Sequence, residues 1–93
     1  MLEAERLSNA VFDRVRKARR FPGGFELTLA WDDEVAGVID DYLALARKLT
    51  PDVERRLVSR GANEATMDVR GPEGYLQSFE HSLAKRGIEV ESV

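Results

Sequence analysis

Residues 25–34, Phe-Glu-Leu-Thr-Leu-Ala-Trp-Asp-Asp-Glu, decide the fold class, because the pattern changes within them. Phe25, Leu27, Leu29 and Trp31 alternate with Glu26, Thr28 and Ala30, the period of a strand with one face on a core. Asp32 or Asp33 then offers a carboxylate to the free amides of a helix start, and Glu34 adds favourable charge to that first turn. Val35, Val38, Ile39, Tyr42, Leu43, Ala46 and Leu49 follow at helical spacing until Pro51. Strand followed at once by amphipathic helix is the opening of an α+β unit.

Downstream, Val53–Ser59 reads as a second strand whose Glu54, Arg55 and Arg56 suit a sheet edge. Gly61-Ala62-Asn63 turns the chain, and Ala65, Met67 and Val69 alternate with Glu64, Thr66 and Asp68 as a third strand. Pro72 opens a helix with Tyr75, Leu76, Phe79 and Leu83 on its apolar face, and Gly87 ends it. Ile88 and Val90 alternate with Glu89 and Glu91 in a closing strand. The order βαββαβ predicts a ferredoxin-like four-stranded antiparallel sheet with both helices on one face. The opposite face then carries Glu26, Thr28, Glu64, Thr66, Asp68 and Glu89, a polar and acidic surface.

Upstream, Leu7, Val11 and Val15 recur at fourfold spacing with Phe12 alongside, and neither Gly nor Pro interrupts residues 3–20. This predicts an amphipathic N-terminal helix over residues 1–20, ended by Phe21-Pro22-Gly23-Gly24, ahead of the α+β domain at 21–93. The first 20 residues carry six Lys/Arg against three Asp/Glu, although the net charge of the chain is -3. Acidic Glu3 and Glu5 near the helix start and Arg16, Lys17, Arg19 and Arg20 near its end match the helix dipole.

At 93 residues, with 43% hydrophobic and 33% charged side chains, the chain suits one modest core. No apolar run reaches the length of a membrane span, and the charged N-terminus is unlike a secretory leader, so the expected location is the cytoplasm. With no cysteine there is no disulfide, thiolate nucleophile or cysteine-based metal site. His81 falls off the apolar stripe of its helix and has no partner ligands at metal spacing. Ser8, Ser59, Ser78 and Ser82 lack the context of an activated nucleophile, and Gly71-Pro72-Glu73-Gly74 is not a phosphate loop. No nucleophile and base can be paired, so the chain reads as non-enzymatic, without cofactor or metal.

Phe21-Pro22, Phe25 at the opening of a strand, and Ser59-Arg60-Gly61 ahead of strand three resemble the YbeD family of small bacterial proteins over residues 21–93. The chain departs from that family at Thr28 and Trp31, where the family tends to carry lysine and glycine, and in its longer N-terminal helix. The resemblance implies a ferredoxin-like domain similar to ACT regulatory domains, with a regulatory role and no catalytic activity.

The function expected first is therefore a regulatory or protein-interaction domain, docking on a protein partner or a second copy. Its handle would be the N-terminal helix, through Leu7, Val11, Phe12, Val15, Arg16, Arg19 and Arg20, or else the open sheet face or an edge strand. An ACT-like small-molecule sensor is the alternative, with a ligand pocket at Trp31, Asp32 and Asp33. Nucleic-acid binding through the basic helix ranks lower, since no aromatics are interleaved with its cations.

Overall fold

The computed structural model describes residues 3–92. The elements run α1 (Glu3–Arg14), β1 (Val15–Phe21), β2 (Gly24–Ala30), α2 (Asp33–Leu49), β3 (Glu54–Arg60), β4 (Glu64–Arg70), α3 (Glu73–Lys85) and β5 (Val90–Ser92). The fold is α+β, with an open, mixed, five-stranded sheet in the order β3-β4-β2-β1-β5.

The N-terminal helix thus ends at Arg14 and not at residue 20, and the basic segment Val15–Phe21 is a strand. It pairs antiparallel with β2 and parallel with β5, so its backbone groups are bonded on both sides. Arginine and lysine are good helix formers, and here the sheet ladder overrides that preference. Val15, Ala18 and Arg20 face the same side as Leu29, Leu27 and Phe25, while Lys17 and Arg19 share the other face with Thr28 and Glu26. A register shift between Val15 and Lys17 interrupts the period of two and disguises it as helical spacing.

Pro22-Gly23 is a two-residue hairpin turn between paired Phe21 and Gly24, and not a helix stop. Gly23 has φ 87°, the left-handed value that the second central position of a Pro-Gly turn requires. Gly24 is needed for a different reason, since a Cβ there would lie 2.4 Å from the carbonyl oxygen of Val69 on the neighbouring strand.

The expected sheet of four antiparallel strands is therefore corrected to five, with β1 inserted beside β2 and paired in parallel to β5. The remaining expected elements occur within a few residues of their anticipated limits. The last strand starts at Val90, because the Ile88 amide is held by the Leu83 carbonyl at 3.0 Å in the closing turn of α3. β3 lies at the sheet edge.

The three helices cover one face. Val35, Ile39 and Tyr42 of α2, Leu76, Phe79 and Leu83 of α3, and Leu7 and Val11 of α1 join Ala18, Phe25, Leu27, Leu29, Met67 and Val69 of the sheet in one core. Helix α1 packs on α2, and its Phe12 ring lies 5.3 Å from that of Phe79 on α3. The boundary drawn at residue 20 consequently falls inside a single packed unit. The uncovered face is mixed in charge and not acidic, because β1 sets Lys17 and Arg19 among the carboxylates: Arg19 lies opposite Glu26, and Lys17 Nζ is 3.6 Å from Glu91. No helix among the described residues is long and apolar enough to cross a membrane.

Candidate functional site

Strand β3 alternates, and its register against β4 points Arg55 and Leu57 to the core side with Val69 and Met67. Arg55 is thereby carried into the angle between the end of α2 and the start of α3. Its Nε donates to the Tyr42 hydroxyl at 3.0 Å, Nη1 to Thr50 Oγ1 at 3.0 Å, and Nη2 to the Tyr75 hydroxyl. The guanidinium carbon stands 5.7 Å from the Tyr42 ring centre and 5.2 Å from that of Tyr75. Thr50 is itself fixed as the cap of α2, its hydroxyl donating to the Ala46 carbonyl at 3.0 Å.

What this half-buried arginine lacks is an anion. Among the described residues no carboxylate lies within ion-pair distance of it, whereas Arg14, Arg20 and Lys17 each have one. A guanidinium has five N–H groups, so the three hydroxyl contacts leave one free on each terminal nitrogen. The two phenols accept from Arg55, and neither phenol hydrogen finds a protein acceptor among the described residues. Burial pushes the Tyr42 phenol above its ordinary value, with the neighbouring Arg55 opposing, so it remains a donor at neutral pH. Two N–H groups and two O–H groups around Arg55 therefore have no acceptor among the described residues.

They border a cleft of about 140 Å³ lined by Ala4, Ser8, Leu45, Ala46 and Leu49 in addition to the arginine and its hydroxyl partners. Ser8, Tyr42 and Tyr75 also line a second hollow, which continues along α3 past Ser78 and Ser82. Such a set can bind and orient an anion. It holds no base beside a nucleophile, and among the described residues no group of His, Asp and Glu is arranged to hold a metal ion.

The residues singled out from sequence are placed elsewhere. Leu7, Val11 and Val15 are buried in the chain's own core, and Phe12 lies between Phe79 and the Arg86 guanidinium, which is 4.7 Å from its ring centre. The apolar stripe expected to dock outside is thus used internally. Arg16 donates to the Asp13 carbonyl at 2.9 Å on the bulged start of β1, and Arg19 stands exposed on the open face. Arg20 points inward, 2.7 Å from Glu73 and 3.7 Å from Glu80. The seven residues therefore form no common surface.

Trp31 packs against the core, with the Arg60 guanidinium 5.7 Å from its ring. Asp32 is the N-cap of α2, accepting from the Val35 amide at 2.9 Å and from Arg14 at 2.7 Å, which hold its carboxyl below the ordinary 3.8. Asp33 begins the helix. These three have structural positions, and the clefts described above lie elsewhere. The sequence reading, which gives Arg55 the role of an edge charge, does not reach the Arg55 cluster. The available signal was alternation: Val53, Arg55 and Leu57 share one parity, and a charge in an inward series marks a residue with partners to find. Comparison with protein-family models, curated proteins and solved structures finds no match, so the geometry of this cleft is the ground on which function is argued.

Proposed function

We propose that this chain is a non-enzymatic regulatory domain that senses a small anion in the cleft formed by α1, α2, α3 and Arg55 of β3. The observation that carries the reading is the half-buried Arg55 guanidinium, which has three hydroxyl partners and, among the described residues, no carboxylate. Removing a cation from water without a counter-charge is costly, and a fork of free N–H groups is the geometry that recognises carboxylates and phosphates. The strand order also suits a sensor of ferredoxin-like type. With β1 set aside, the remaining strands stand as β3-β4-β2-β5, two interleaved βαβ units.

Docking through α1, the reading favoured from sequence, has less support, since burial of Leu7, Val11 and Val15 within the chain removes its apolar handle. Nucleic-acid binding is weakened in the same way by the ion pairs of Arg14, Lys17 and Arg20.

Thermal unfolding of the full chain with a panel of carboxylates and phosphates tests the proposal. A ligand at a hundred times its Kd stabilises by about 2.7 kcal/mol, and at roughly 4–8 °C per kcal/mol for a domain of this size the melting temperature rises by about 10–20 °C. Arg55→Gln should abolish the rise. Absence of any rise in the wild type, or an equal rise in Arg55→Gln, overturns the reading.

A further inference from the structure

Resting on the anion reading, we infer that the ligand is a short monocarboxylate with an apolar tail and no ammonium group. The cleft is divided. Arg55, Tyr42, Tyr75 and Thr50 are its polar group, while Ala4, Leu45, Ala46 and Leu49, with the single hydroxyl of Ser8, form the rest of the wall. Leu49 is 60% exposed, an apolar side chain at the mouth that a bound tail would cover.

The polar group suits a single negative charge. Among the described residues Arg55 is the only cation lining the cleft, and α2 terminates there at Leu49 and Thr50. A helix C-terminus carries roughly half a unit of negative charge, which opposes any anion and opposes a dianion such as a phosphate ester about twice as strongly as a monocarboxylate. Phosphate sites draw on the opposite pole, where amides point outward. A zwitterion is disfavoured for the converse reason, since among the described residues no carboxylate lines the cleft to receive an ammonium group. Size limits how much of the ligand is covered, because a closed cavity of about 150 Å³ accepts benzene, and this cleft, open to solvent and with its polar group included, is about 140 Å³.

Calorimetric titration of the full chain tests the inference with 4-methylpentanoate, acetate, leucine, 4-methylpentan-1-ol and inorganic phosphate. Each buried methylene contributes roughly fourfold in affinity, so burial of half the tail makes 4-methylpentanoate bind more than about tenfold tighter than acetate. Leucine, the same skeleton bearing an ammonium group, and the neutral alcohol should each bind at least about tenfold more weakly. Leu49→Gln, a neutral change at a position 60% exposed, should reduce affinity for 4-methylpentanoate and leave acetate nearly unchanged.

The outcomes separate the two claims. If phosphate or leucine binds as well as 4-methylpentanoate, or acetate matches it, the tail and charge assignment is overturned while the anion site stands. If the alcohol binds equally, Arg55 is not the anchor and the inference falls. If none of the anions binds, both the inference and the reading beneath it fall.

Discussion

Replacing Gly24 with alanine adds one methyl group at the junction of three strands, and the structure sets the expected cost. Gly24 is paired with Phe21 of β1 on one side and with Arg70 of β4 on the other. The added Cβ would lie 2.4 Å from the Val69 carbonyl oxygen and 2.9 Å from the Phe21 ring. The ring can rotate away, but the carbonyl belongs to the ladder between β2 and β4 and moves only with its strand. An overpacked site of this kind costs about 1–3 kcal/mol. That corresponds to a fall of about 5–20 °C in melting temperature at roughly 4–8 °C per kcal/mol. Trp31, the single tryptophan, follows the same strand, so urea unfolding followed by its fluorescence and by circular dichroism reports the loss directly. A Gly24→Ala variant within about 0.5 kcal/mol of wild type, the range of a neutral surface change, would refute the close approach of β2 and β4 at this point.

Two further predictions test the N-terminal strand and the start of α2. Ala18 is fully buried between β2 and β5 while its neighbour Arg19 is exposed, so Ala18→Lys should cost more than about 3 kcal/mol in urea unfolding. Arg19→Lys should stay within about 0.5 kcal/mol, and similar effects at the two positions would contradict the alternation of a strand. Asp32→Ala should lower the urea midpoint at pH 7, since it removes the N-cap of α2 and the partner of Arg14. The Asp32 carboxyl titrates below 3.8 in the folded chain, so its contribution is complete above that value and is lost as the pH falls through the folded one. The difference between variant and wild type should therefore shrink in acid. A difference that is constant from neutral pH to about pH 2 would show that ionisation of Asp32 contributes nothing.

Much of the fold was legible in local pattern. Phe25, Leu27 and Leu29, and Ala65, Met67 and Val69, are buried as their period indicates; of the helical series Val35, Ile39 and Tyr42 are buried, Val38, Leu43 and Ala46 partly so, and Leu49 at the end is exposed. These elements present an apolar face long enough for one period to dominate. The closing strand was displaced because Ile88 belongs to the capping turn of α3, a bond that spacing does not encode. The proposed ligand site was not legible, because its four polar residues come from α2, its cap, β3 and α3, and they meet only when the edge strand is laid beside β4.

The sequence by itself determined the α+β class, a start of α2 at Asp32 or Asp33 and the position of β3 as an edge, since each rests on the period or chemistry of contiguous residues, and the structure selects Asp32 as the cap. Tertiary structure alone decided the fate of residues 15–21. Their Arg and Lys side chains suit a helix, but a strand there bonds to β2 and β5 together and places Ala18 in the core. Those ladder bonds are made with segments as distant as Val90, and no local propensity can outweigh or reveal them.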